Sequence, residues 1–217
     1  MNDQTPKPRR GCFFYGCISG VVLLALVLVA LLIAFHYVKK MVNGFTENRP
    51  TELPALQMSK AEIDQVKQRF DAFEQSVREQ HPTQPLVLSA DDINALIASS
   101  SDPQPLRGKL FVSLEGDKVK GELSVPLQDL GLRMFKGRYL NGSATFNLGF
   151  RDGALVVSPE TLIVKGAPVP EVYMQEIRKQ NFAATLTNEP AAAAVLKGLQ
   201  DIQVKEGKVT IVPKAQP

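Results

Sequence analysis

Acid–base, nucleophilic and metal chemistry near neutral pH draws first on histidine and cysteine, and this 217-residue chain holds two of each. His36 lies beside a long uncharged apolar run, and His81 sits in the breaker His81-Pro82-Thr83-Gln84-Pro85, so neither stands among other potential ligands. Cys12 and Cys17 both fall at the start of the apolar run, which leaves the remainder without a thiol for a zinc or iron site. Acylation of a thiol there is chemically open; small interfacial residues are the plainer account. No GxSxG elbow, P-loop or GxGxxG is present. Two acids, Asp91-Asp92, stand together, but in the first turn of a helix, where capping accounts for them without catalysis. Arg133, Met134, Phe135, Lys136, Arg138 and Tyr139 form the one basic–aromatic cluster, either a solvated loop or a contact for phospholipid head groups. Asn141-Gly142-Ser143 fits the N-glycosylation triplet. The expectation is a protein that is not an enzyme, with no catalytic residues, no cofactor and no metal.

Charge distribution narrows the partners. The formal net charge is +3, yet Lys7, Arg9, Arg10, Lys39 and Lys40 flank the apolar run against Asp3 alone, and beyond residue 40 acids and bases nearly balance. The positive charge is a flank effect and offers no footprint for nucleic acid.

The elements that would position any function begin with that run. Phe13 to Phe35 carries no charged residue, and a helix of that length spans about 34 Å, enough for a hydrocarbon core. A cleaved signal would have a shorter apolar stretch and a small-residue cleavage site; here Phe35-His36-Tyr37-Val38-Lys39-Lys40 follows. An uncleaved anchor is expected. The basic leader puts the N-terminus in the cytoplasm and the following domain outside it. Phe13, Phe14, Tyr15 and Tyr37 suit the two interfaces, and Gly16 with Gly20 forms a GxxxG through which a second helix could approach. The expected division is a leader at 1–12, a transmembrane helix at 13–35, a linker at 36–58 and a domain at 59–217.

Within that domain, Ser59 and Glu62 form a capping box ahead of Ile63, Val66, Phe70, Phe73 and Val77, an apolar stripe at helical spacing. The helix at 59–80 must pack on its own domain, on a copy of itself or on a protein partner. Leu86-Val87-Leu88 is a short apolar run, and Ser89 with Asp92 opens a helix with Ile93, Leu96 and Ile97 on one face. Period-two runs then follow: Leu110, Val112 and Leu114; Val119, Leu123 and Val125; Phe146, Leu148 and Phe150; Leu155 and Val157; Leu162-Ile163-Val164; Ile202 and Val204; Val209 and Ile211. Glu115-Gly116-Asp117, Asp152-Gly153 and Glu206-Gly207 supply hairpin turns. Two helices are expected late in the chain, from Pro170 to about Leu186 and over Ala191–Leu196 with Asn188 as cap. The predicted fold is α+β: an antiparallel, meander-like sheet of five to seven strands with helices on one face. Val172, Tyr173, Ile177 and the Ala191–Leu196 helix are the expected lid over Phe146, Leu148, Phe150, Val119 and Leu123, closing either a solid core or an apolar ligand pocket.

The stretch LSADDINALIAS at 88–99, with the Asp-Gly hairpins, resembles bacterial envelope proteins of the YpmS-like and LmeA-like kinds. The matching positions are Leu88, Ser89, Ile93, Asn94, Leu96 and Ile97, then Asp152, Gly153, Leu155 and Val157. The likeness covers roughly residues 85–213 and leaves the 59–80 helix unmatched. It implies envelope lipid binding, in a groove between sheet and helix, or a related maintenance role, and it carries over no catalytic residue. Residues and resemblance together lead to a membrane-anchored, extracytoplasmic protein with an interaction or scaffold role; lipid or hydrophobic-ligand binding is the alternative, and an enzyme of unrecognised type the remote third.

Overall fold

A computed structural model describes residues 12–100, 107–184 and 189–215, in two units, 1–45 and 46–217. The first holds one helix, α1 (Cys12–Phe45), which runs unbroken past the expected end at Phe35. Its described apolar side chains apart from Val42 are exposed, Leu32 to 69%, and the helix is long and apolar enough to cross a membrane. Most of the leader, with Lys7, Arg9 and Arg10, lies outside the described residues, as do the side chains of Cys12, Cys17 and the aromatic residues 13–15.

In the second unit the local signals fix the helix starts. Ser59 caps α2 (Lys60–Arg78): the Glu62 N–H donates to Ser59 Oγ and the Ser59 N–H to Glu62 Oε2. Ser89 and Asp92 repeat the exchange at α3 (Ala90–Ser99). Asp92 also accepts from Arg69 at 2.8 Å, tying α3 to α2. These bonds account for Asp92 as a cap.

The strands form two sheets rather than one. β2 (Leu110–Glu115), β3 (Lys118–Pro126), β4 (Tyr139–Arg151), β5 (Ala154–Val164) and β6 (Ala167–Pro168) make an antiparallel five-stranded meander in chain order. β7 (Leu199–Lys205) and β8 (Lys208–Pro213) do not extend it; they join β1 (Leu86–Leu88) in a three-stranded sheet ordered β1-β8-β7. Two of the acid–glycine hairpins hold both central residues at positive φ, Asp152 with Gly153 and Glu206 with Gly207, the mirror-image turn whose twist suits a tight hairpin.

The core lies between the small sheet, α2 and one end of the meander. Phe73, Val77, Leu86, Leu88, Leu199, Ile202, Val204 and Val209 are buried together, with Leu114, Val119, Leu148, Phe150 and Leu155 of the meander packed against them. Of the expected helix from Pro170 to about Leu186, α4 (Glu171–Ile177) forms and the chain then leaves helical geometry through Phe182 and Ala183; residues 185–188 lie outside the described residues. Beyond α4 the chain turns to the outer edge of β5. Asn181 accepts from Val157 N–H and donates to Leu155 C=O, the Phe182 N–H donates to Val157 C=O, and Arg178 donates to Glu160 C=O. Asn94 does the same for the opposite edge strand, accepting from Val112 N–H at 2.8 Å and donating to Val112 C=O at 2.7 Å. An open strand edge templates association, and side-chain amides fill places that a further strand would take. The last helix, α5 (Pro190–Lys197), starts after Glu189 with no side-chain cap; Asn188 lies outside the described residues.

Candidate functional site

The α2 stripe turns inward. Val66, Phe73 and Val77 are buried and Ile63 and Phe70 half-buried, so the predicted partner face is spent on the helix's own domain. α5 lies beside it, and the two meet where Gly198 follows α5: a Cβ there would stand 2.5 Å from Val77 Cγ1. In the preceding turns a space is left between the helices, where α5 contributes Ala192 beside Val195 and Leu196. An apolar cleft of about 210 Å³ remains, walled by Phe70 and Phe73, by Ala192, Val195 and Leu196, and by Leu155, Leu199, Ile202 and Ile211 from the strands. Glu74 is the one ionisable residue in its lining.

Phe70 and Glu74 also border a second, polar groove of about 360 Å³, completed by Lys67, Asp71, Leu96, Ser99 and Ser100. Its charges are paired: Lys67 with Asp71 at 2.5 Å, and Glu74 with Arg78. The two spaces share Phe70 and Glu74 as a wall, so an apolar compartment adjoins a hydroxyl- and charge-lined one. An amphiphile with an apolar chain and a polar head matches that pairing, and a 150 Å³ apolar cavity is already enough to admit a benzene-sized ligand.

The eight residues expected to form a ligand face do not line this cleft. Val119, Leu148 and Phe150 pack into the core, Leu123 and Ile177 are half-buried, and Phe146 makes an edge-to-face contact with Phe182, ring centroids 5.9 Å apart. Val172 and Tyr173 are 67% and 57% exposed, so they are no lid; Met174 is the buried residue of α4. Of the α2 residues, Phe70 and Phe73 do reach the cleft. The Ala191–Leu196 helix, expected as part of a lid, supplies Ala192, Val195 and Leu196 to the cleft, while the walls from β7 and β8 were not expected.

The other candidates disperse. His81 is exposed beside Glu79, and among the described residues no group of His, Cys, Asp and Glu is placed to hold a metal ion. On the wet face of the meander Lys118 and Lys120 sit above the ordinary lysine range, held there first by Glu160 and by Glu122. Asn141 is 4% exposed; its amide donates to Glu47 Oε2 and Arg49 C=O and accepts from Ser124. In the folded domain that amide has no room for a glycan. The basic–aromatic cluster divides: Arg138 and Tyr139 are bonded to residues 46–48, while Arg133, Met134 and Lys136 are exposed.

Residues 46–51, expected within a linker, are thereby a strap laid on the start of β4. No protein family, no curated protein and no solved structure was found to match this chain, so the cleft is read from its own geometry.

Proposed function

We propose that this chain is a non-enzymatic protein anchored by α1, whose domain stands outside the cytoplasm and takes up the apolar chain of an amphiphile between α2 and α5. The carrying observation is the cleft, walled by apolar side chains and adjoining a polar groove. Unfilled apolar space costs stability, and a site of this kind is the default place for an apolar ligand. The exposed apolar surface of α1 supports the anchor, and Lys7, Arg9 and Arg10 ahead of it support the orientation. A scaffold role through the α2 stripe is disfavoured because that stripe is occupied by the core.

A photoactivatable fatty acid added to the purified full chain should crosslink to peptides from α2 and α5, separable from those of α1. Ala192→Phe should abolish that crosslink while leaving thermal melting nearly unchanged. Crosslinks confined to α1, or undiminished in the variant, would remove the ligand reading. For orientation, protease added to intact spheroplasts should digest a C-terminal tag; protection of the tag would reverse it.

A further inference from the structure

Between β3 and β4 the chain makes an excursion closed at its root. The Leu127 N–H donates to Arg138 C=O at 2.8 Å and the Leu132 N–H to Leu127 C=O at 3.0 Å, and the Leu127 side chain is buried beneath. The tip shows Leu130, Leu132 and Met134, all exposed, Met134 to 68%. Arg133 and Lys136 are exposed among them, and Asp129 is neutralised by Lys109 at 2.5 Å. Single apolar side chains on a surface are ordinary. Three at alternate positions, interleaved with two cations on a self-closed loop, have the composition of an interfacial segment.

A second observation says which interface. Arg138, the residue that closes the excursion, donates through Nε to Thr46 Oγ1 and through Nη2 to Thr46 C=O, both at 2.6 Å, and through Nη1 to Asn48 Oδ1 at 2.7 Å. Glu47 and Tyr139 exchange backbone bonds in both directions. Thr46 directly follows the end of α1. The root of the excursion is therefore fastened to the first residues after the apolar helix. From Lys40 to Phe45 a helix advances about 8 Å, a distance comparable to the thickness of a head-group layer.

We propose that the 127–138 excursion is a membrane-contacting element: Leu130, Leu132 and Met134 enter the interfacial zone of the bilayer that holds α1, and Arg133 and Lys136 face anionic head groups. This rests on the anchor reading above. The chain has no tryptophan, so an introduced one reports alone. The full chain carrying Met134→Trp is reconstituted into phosphatidylcholine vesicles with and without phosphatidylglycerol, and quenching by brominated acyl chains is compared with that of Val172→Trp. Trp at 134 should be quenched severalfold more strongly than Trp at 172, most of all in the anionic vesicles. Adding Arg133→Glu and Lys136→Glu should remove the anionic preference. Equal quenching at 134 and 172 in protein that still floats with the vesicles after an alkaline wash overturns the proposal and spares the anchor. Loss of flotation overturns the anchor itself. Shielding of Trp at 134 in native membranes but not in vesicles assigns the tip to a protein partner instead. An anionic preference unchanged by charge reversal overturns the role given to the two cations.

Discussion

α2 and the segment 170–184 both present apolar residues at helical spacing, yet one covers a face and the other an edge. α2 has a capping box, nineteen residues and an apolar stripe that continues from Ile63 to Val77, about four turns. Its buried side chains close one side of the core. α4 has seven residues, no side-chain cap and a Pro170 start, and the bonds that hold its surroundings are polar: Arg178 to Glu160 C=O and Asn181 to the backbone of β5. An apolar pattern places a helix on a core only when the helix is long enough and held well enough at its ends to repeat it. Where the repeat is short, backbone hydrogen bonds waiting at a strand edge decide the placement.

The contrast can be broken by mutation. The largest effect is expected at Phe73: Phe73→Ala should cost about 3–5 kcal/mol in chemical denaturation. A cost under about 1 kcal/mol, the ordinary range for surface sites, would mean that α2 covers no face. Next come the two edge amides. Asn94→Ala strands a buried N–H and C=O of Val112, each worth about 1–3 kcal/mol. Asn181→Ala should fall lower in that range because the β5 edge is half-buried; hydrogen exchange at Val157 should rise with it, and unchanged exchange would remove the edge role.

Ser59→Ala should cost about 1 kcal/mol of helix stability and alter its pH dependence. The Ser59 side chain, and after it the Ser59 backbone N–H, hold the Glu62 carboxyl below its ordinary 4.5. A lowered folded value means that the Glu62 contribution is fully present above the unfolded value and is lost as pH falls through the folded one. The wild-type chain should lose this contribution on acidification below about pH 4.5, and Ser59→Ala should lack that portion of the loss. The smallest effect belongs to Tyr173→Ala, within about 0.5 kcal/mol by thermal melting; a larger loss would restore α4 as a lid.

What could be read in advance were features whose cause lies within a few residues. Ser59 and Glu62, Ser89 and Asp92, and the Asp152-Gly153 turn each act on their own neighbourhood. Period two marked the strands but cannot name partners, so the division into two sheets was hidden: Val204 and Val209 alternate with their neighbours as Val119 and Leu123 do. The strap was hidden for a different reason. Thr46, Glu47 and Asn48 are polar and aperiodic, the marks of a linker, and only Arg138, about ninety positions away, gives them a place.

The cleft was half legible. Phe70 and Phe73 were singled out as a contact stripe, but a stripe says only that apolar area must be covered. Whether covering leaves space depends on the size of what lies opposite, here Ala192 rather than a larger residue. Of the expected lid, the Ala191–Leu196 helix does wall the cleft, while Val172 and Tyr173 stay exposed because composition gives no account of the edge that captures the chain after Arg178.

The pairing of β1 with β8 also sets a clock on folding. Leu86 lies opposite Ile211 and Leu88 opposite Val209, so the small sheet joins strands far apart in the sequence, and β1 cannot be paired until residues 209–211 have been made. The β2–β3, β4–β5 and β5–β6 connections are tight turns that can close as they emerge, and β3 meets β4 across the 127–138 excursion. α2, with the face of Phe73 and Val77 that the β7–β8 hairpin helps to cover, must wait. A chain stopped before residue 199 would retain the meander, α3 and α5 and would lack the β7–β8 part of the core against which α2 packs. During synthesis α2 is thus fully covered only when the β7–β8 hairpin is in place, and that hairpin, small as it is, ends the interval in which part of the stripe is open to aggregation.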